Sequence, residues 1–413
     1  MSTFEQLNFD RLAPDIRKEL RHLRTLDNHH APLAILFEYA LIAACVVLCT
    51  QVSYAFYPLA LLVIGSVQRF LAHFLHESSH KVFARNRTLN LVGGTLLSGY
   101  LVGHLYGPYR SSHVGNHHRN LGDAVNDPDY SFHIECGLYD AERSDRHFFL
   151  KEVVASALGL RTFTYLGYIA RERVFCDSSQ ITVSVPVPLR TEQKAFVAQW
   201  AVILGVCAWF GVLPELLLFW FVPLFTTNVA IGWLAELSEH YPMPESENKQ
   251  ILLTRNRHGV FLERFFLSRH NDRYHLVHHM NAGIPFWNLG RAHQVLLGDP
   301  GYAAWDGLWA GAFTRPRDRR DKETVISYAA TYRTWRQRGG DPAAAGPSFA
   351  QLMVAAARSG APDPAALVLA QTTPPADGPA DGTGPIGTGD PLGRIGENAH
   401  DSSGDDTKAK VLS

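Results

Sequence analysis

Residues 33–51 read LAILFEYALIAACVVLCTQ and residues 54–72 read YAFYPLALLVIGSVQRFLA; His76-Glu77-Ser78-Ser79-His80 follows after a further turn of chain. Each apolar run is close to the roughly 20 residues that cross a hydrocarbon layer as a helix. The link between them carries no Lys, Arg, Asp or Glu. A second pair follows at about 196–211 (FVAQWAVILGVCAWFG) and 214–235 (PELLLFWFVPLFTTNVAIGWLA), joined through the short Val212-Leu213-Pro214 region. Two such pairs with tight, uncharged turns are hard to bury in one soluble core. They predict an all-α integral membrane protein with four transmembrane helices in two hairpins. Only two charged residues interrupt the first pair, Glu38 and Arg69.

Basic residues mark the outer ends of both hairpins: the N-terminal arginines, Lys81, Arg85 and Arg87, Arg190 and Lys194, and Lys249, Arg255 and Arg257. The positive-inside rule therefore puts both termini and everything after each hairpin in the cytoplasm. Residues 1–31 read as a polar cytosolic segment without the apolar run of a signal peptide. The apolar stretches 89–107 and 153–170 read as interfacial or capping helices, so a cytosolic helical cap is expected to complete a catalytic region spanning 32–337. From 338 to 413 the chain is rich in Ala, Pro, Gly and Asp, which predicts a disordered tail. The 38 basic and 39 acidic residues leave a net charge of −1, which gives no long-range pull on nucleic acid. Five scattered cysteines without CxxC spacing exclude a thiolate zinc site or a disulfide framework as the organising element.

The chain holds 20 histidines, and three clusters stand out: His76-Glu77-Ser78-Ser79-His80, His113-Val114-Gly115-Asn116-His117-His118, and His275-Leu276-Val277-His278-His279. On a helix, residues i and i+4 share a face, so His76 with His80, and His113 with His117, can each present two imidazoles to one ion. Adjacent histidines diverge by about 100° on a helix. One member of each His-His pair can then serve one metal and its neighbour another. The topology places all three clusters on one side of the membrane. Eight nitrogens exceed what one four-coordinate zinc uses, so two ions with open positions fit better, and imidazole suits iron, zinc, copper and nickel. His240, at the end of the fourth apolar run, is a candidate ninth ligand or an interfacial anchor. Glu77, Glu236 and Asn271 are candidates for orienting ligands or a bound water. His76-Glu77-x-x-His80 is also the short motif of zinc proteases, with Glu77 as general base; that reading leaves the other two clusters without a role.

These residues resemble the membrane fatty acid desaturase and hydroxylase superfamily over roughly residues 30–300. HESSH, HVGNHH and HLVHH match its three histidine boxes. The flanks match too: Asn126-Asp127-Pro128-Asp129-Tyr130 after the second box, and Tyr274 before and Ile284-Pro285-Phe286-Trp287-Asn288-Leu289 after the third. The resemblance implies a non-haem diiron centre, four membrane helices, a cytosolic cap and an acyl or alkyl chain in a narrow tunnel. It makes His76, His80, His113, His117, His118, His275, His278 and His279 iron ligands, and His240 matches the family's isolated histidine after the fourth helix. One departure stands out: the second box is H-x3-HH where many desaturases have H-x2-HH. The longer spacing and the HExxH form also occur in hydroxylase-like and alkane-oxidising members, so desaturation and hydroxylation both stay open.

Breaking an unactivated C–H bond needs an oxidant, and zinc has no redox chemistry to offer. Two iron ions, O2 and electrons from outside are therefore expected. The chain shows no haem, flavin or dinucleotide signature, which implies a separate ferredoxin or reductase. The expected substrate is a fatty acyl or alkyl lipid, and no nucleic acid partner is expected. Trp209, Trp220, Trp233 and Tyr241 are candidates to line the tunnel or to anchor at the interface. Arg110, Arg119, Arg269 and Arg273 are candidates for a head group or for ordinary ion pairs.

Overall fold

The computed structural model describes residues 11–247, 250–344 and 349–372. Among them secondary structure is helical, with a single isolated bridge between Trp309 and Glu323. Among the described residues three helices are long and apolar enough to cross a membrane: His30–Val52, Tyr54–Ser79 and Leu213–Ser246. Ser53 turns the first into the second, its hydroxyl accepting the Ala55 N–H at 3.1 Å. Pro58 then sits in the first helical turn, where its missing N–H costs nothing. The second and third long helices cross closely at Gly65, where a Cβ would lie 2.1 Å from the Thr227 hydroxyl.

The region expected to supply another span, 196–211, forms most of the helix Leu189–Trp209. Its first turns carry Arg190, Glu192 and Lys194, so its apolar part is shorter than that of the other three. Its side chains nonetheless face outward: Val197, Val202 and Trp209 are all largely exposed. A contiguous apolar exterior of this kind needs lipid or another protein against it. The apolar stretch at 153–170 falls within a bent pair, Asp145–Ala157 and Thr162–Val174, angled at 74°.

The two charges inside the first pair are both buried and partnered. Glu38 binds Arg269 through two contacts of 2.8 Å and His270 at 2.7 Å. Arg69 approaches Asp272 at 3.1 Å and Glu239 at 3.4 Å. An unpaired charge at this depth would be expensive, and these pairs clamp the segment before the third box to the long helices. In that segment His270 (φ 51°) and Asn271 (φ 61°) occupy the left-handed region that non-glycine residues avoid. Glu38 holds the first, and the Asn271 side-chain amide donates to the Phe286 carbonyl at 3.0 Å.

Beyond the third box the chain builds an aromatic core around Tyr302, Trp305, Trp309, Tyr328, Tyr332 and Trp335, continuous with Leu71 and Phe74 of the second long helix. The expected tail is corrected here. Helices Phe349–Arg358 and Pro364–Thr372 bury Phe349, Met353, Val354 and Val368 in the same core. Phe349 lies 4.6 Å from the Trp335 ring. Alanine favours helix, and the low-complexity composition hid an apolar stripe. The rest of that expected tail, 373–413, lies outside the described residues.

Candidate metal centre

His76 and His80 sit at the C-terminal end of the second long helix, and His240 ends the helical run Thr227–His240 within the third. The third box occupies the short helix His275–Met280. The second box departs from the regular helix assumed above: Ser111–His117 is wound with wide i→i+5 turns before His118 resumes an α turn. Such wide turns are frequent at functional sites. Here they bring His113 onto the face of His118, with the two Nε2 atoms 3.0 Å apart.

The histidines converge as two adjoining groups. In the first, ligating atoms of His76, His80, His113 and His278 all lie within 4.8 Å of one another. His118 joins this group, its Nε2 standing 3.1 Å from that of His278. The second contains His117, His240 and His279. His275 completes it, with Nε2 at 3.0 Å from both the His240 and the His279 Nε2. The rings of His118 and His279 stack at 4.3 Å where the groups meet. Each His-His pair thus divides, His118 from His117 and His278 from His279.

The donor set fits bound cations. His80 Nε2 is buried without a hydrogen-bond partner. His240 Nδ1 faces the Leu253 carbonyl at 2.9 Å, which fixes the proton there and leaves Nε2 bare. His117 Nδ1 faces the Asp127 carboxylate at 2.9 Å in the same way, the carboxylate–histidine arrangement that orients metal ligands. Burial first, and crowding by other imidazoles second, hold His113, His118, His275 and His279 well below the ordinary histidine pKa. His278 falls to about 3, again chiefly through burial. These are neutral nitrogen donors at physiological pH. His117 behaves oppositely: burial pulls it down, but Asp127 and Asp129 outweigh that and push it up to about 9.

The expected helpers of the ligands are placed elsewhere. The Glu77 carboxylate accepts the Phe286 N–H at 3.0 Å and so fixes the chain after the third box instead of facing the histidines as a base. Asn271 holds the Phe286 carbonyl from the other side. Glu236 lies 3.7 Å from His133 and lines the cavity next to the centre. The carboxylates that do touch the histidines are ones that no local pattern singles out. Asp127 orients His117, and Glu239 stands 3.5 Å from His275 Nε2 while bound to Arg257 at 2.8 Å. Both sit in quoted stretches, Asp127 in the Asn-Asp-Pro-Asp-Tyr flank and Glu239 directly before His240.

A cavity of about 140 Å³ opens onto His76, His113, His117, His240 and His275. A second, of about 330 Å³, shares Arg69, Ala72, His104, Tyr165, Ile169 and Gly232 with it. Leu101, Leu166, Phe196, Trp200, Phe221 and Leu224 make this outer part apolar. The aromatic candidates for lining the tunnel or anchoring at the interface line neither of these two cavities. Trp220 and Trp233 donate to the carbonyls of Leu101 and Glu152, Tyr241 stacks on Phe148, and Trp209 is 85 % exposed. Of the arginines, Arg269 is committed to Glu38, and Arg273 donates to the Tyr274 hydroxyl at 2.6 Å.

The family model described as fatty acid desaturase matches residues 53–306, the span from the second long helix to just beyond the third box. The chain belongs to the fatty acid desaturase family. Within the curated proteins, the dihydrorhizobitoxine desaturase of Bradyrhizobium elkanii is 40 % identical over 315 residues, covering 76 % of this chain and 87 % of the relative. Membership makes this desaturase-family chain an oxidoreductase, and it accounts for the candidate membrane helices and the histidine boxes together. The family is generally diiron, and the two histidine groups are compatible with that.

Proposed function

We propose that the chain is a membrane-embedded non-haem diiron desaturase. In the proposed reaction a –CH2–CH2– unit, O2, two external electrons and two protons give –CH=CH– and two waters. The observation that carries this reading is the convergence of nine imidazoles as two groups at the inner end of a cavity whose outer part is apolar. His76, His80, His113, His118 and His278 would hold one iron, and His117, His240, His275 and His279 the other. Bound iron supplies the O2 chemistry that an unactivated C–H bond demands. The remaining work belongs to the chain. Asp127 and the Leu253 carbonyl hold the Nδ1 protons of His117 and His240, which keeps both Nε2 lone pairs pointed inward. Leu101, Phe196 and Phe221 seat an apolar segment of the substrate and exclude water from it. Glu239 sits between Arg257 and His275 and fixes that ring.

In this reading four helices span the bilayer as two hairpins, Leu189–Trp209 and Leu213–Ser246 forming the second. The centre and both termini face the cytoplasm. The substrate is an acyl or alkyl chain, and dihydrorhizobitoxine, after which the relative is named, is the first alternative to assay beside acyl lipids. The test is product mass after incubation of iron-loaded protein with each substrate, O2 and an electron donor, beside His278→Ala. Loss of two hydrogens supports desaturation, and gain of one oxygen would make the protein a hydroxylase on the same scaffold. No product from any substrate, with both irons in place, would refute the oxidative reading.

A further inference from the structure

We infer that the loop 315–322 docks an acidic iron–sulfur protein, and that Trp309 and Trp305 lead its electrons towards His240. The inference rests on the proposed function, and its test separates the two. The loop reads RPRDRRDK, five basic residues against two acidic ones in a chain that is otherwise close to neutral. Two of the arginines are tied to neighbouring groups, Arg319 largely covered and Arg315 still exposed at the surface. Arg319 binds Asp306 at 2.8 Å and the Trp309 carbonyl at 2.8 Å, and Arg315 binds the Lys322 carbonyl at 2.7 Å. The Arg317 and Arg320 side chains are exposed with no ion pair or side-chain hydrogen bond among the described residues. The loop is therefore braced from beneath while presenting free guanidinium groups outward.

Behind it runs a short connected path. Trp309 lies under Arg319, and its ring is 5.4 Å from that of Trp305. The Trp305 indole N–H donates to the Thr254 carbonyl at 3.0 Å. One peptide unit back, the Leu253 carbonyl accepts from His240 Nδ1 at 2.9 Å. Two indoles, two hydrogen bonds and one peptide group thus join the basic loop to an imidazole of the second histidine group. Both tryptophans are buried, so the path is shielded from water. An anionic lipid head group would also suit the arginines, but it gives the paired indoles nothing to do. In each encounter the reduced donor loses one electron and leaves oxidised, so two encounters supply the two electrons of a turnover. Opposite charge on the two surfaces speeds the encounter and fixes its orientation.

The experiment uses the full-length, iron-loaded chain in detergent, with an acidic plant-type [2Fe–2S] ferredoxin as probe. Arg317→Glu with Arg320→Glu is expected to weaken ferredoxin binding about tenfold or more at low salt. The gap should close at about 0.5 M salt, where charge is screened within a few ångström. Arg87→Glu, a charge reversal elsewhere, should leave the Kd unchanged. Trp305→Leu should bind normally yet slow oxidation of the reduced ferredoxin about tenfold, with Trp305→Tyr retaining most of the rate. Unchanged affinity in the double variant, or weakened binding only to phosphatidylglycerol vesicles, would overturn the docking site. Wild-type transfer rates in both folded Trp305 variants would overturn the path. Product formation with a small chemical reductant should be the same in the wild type and the double arginine variant. Its absence in both would count against the proposed function and leave the docking result standing.

Discussion

The second and third histidine boxes look like variants of one motif, but they distribute their side chains in opposite ways. In the third, on a regular helix, the outer pair His275 and His279 goes to one group and His278 to the other. In the second, on wide turns, the outer pair His113 and His118 goes to the group that contains His278, and His117 goes to the other. The extra residue of H-x3-HH is taken up by the i→i+5 winding, so each box still supplies both groups. The spacing is therefore matched by backbone geometry, and the departure from H-x2-HH does not by itself favour hydroxylation over desaturation.

The sharpest way to break that comparison is to remove the extra residue. Deleting Gly115 gives the second box the spacing of the third without reversing its assignments. Iron content should fall by half or more, and activity to about one per cent or less, beyond the 10–100-fold typical of losing an outer partner. Retained iron in the deletion variant would show that the wide turn is incidental.

Asp127→Asn should be milder, because it removes the partner of one ligand and not the ligand itself. Iron affinity is expected to drop about 10–100-fold, read by competition with a chelator, with the fold intact by circular dichroism.

The third prediction concerns protons. Asp127 and Asp129 push His117 up to about 9 against burial, which favours an imidazolium near neutral pH whose Nε2 proton a metal must displace. Metal uptake near neutral pH should release about one proton from this site, and affinity should rise with pH until about 9. In Asp127→Asn only Asp129 and Glu236 still oppose burial, so the proton release should shrink. Calorimetry in two buffers of different ionisation enthalpy reads it.

The smallest effect is expected from Glu77→Gln. Glutamine keeps an acceptor for the Phe286 N–H, so stability should change by about 1 kcal/mol or less, with iron content unchanged. A complete loss of activity with metal retained would restore a general-base role for Glu77.

The membrane helices and the boxes were legible because they rest on strong local signals: long apolar runs and closely spaced imidazoles. Which histidine meets which was half legible. The i, i+4 rule joins His76 to His80 and His113 to His117, whose rings stack at 5.3 Å, but no local signal in SSHVGNH announces the wider turn that also brings His113 to His118. Asp127 and Glu239 were missed because their contacts depend on folding: Asp127 caps the helix Pro128–Glu135 while reaching back to His117, and Glu239 is aimed by Arg257 from a distant segment. Glu38 and Arg69 looked like flaws in membrane spans until Arg269 and Asp272 supplied their partners. The helices at 349–372 were obscured by composition, since Ala, Pro and Gly conceal how regularly Phe349, Met353 and Val354 fall on one face.

What the nine imidazoles bind decides the chemistry of the centre. Metal analysis with X-ray absorption at the iron edge, on protein purified from iron-supplemented cells, tests this most directly. The predicted result is two irons per chain in a shell dominated by histidine nitrogen, lost in part on His278→Ala. A single tightly held zinc in a closed four-ligand shell would contradict it.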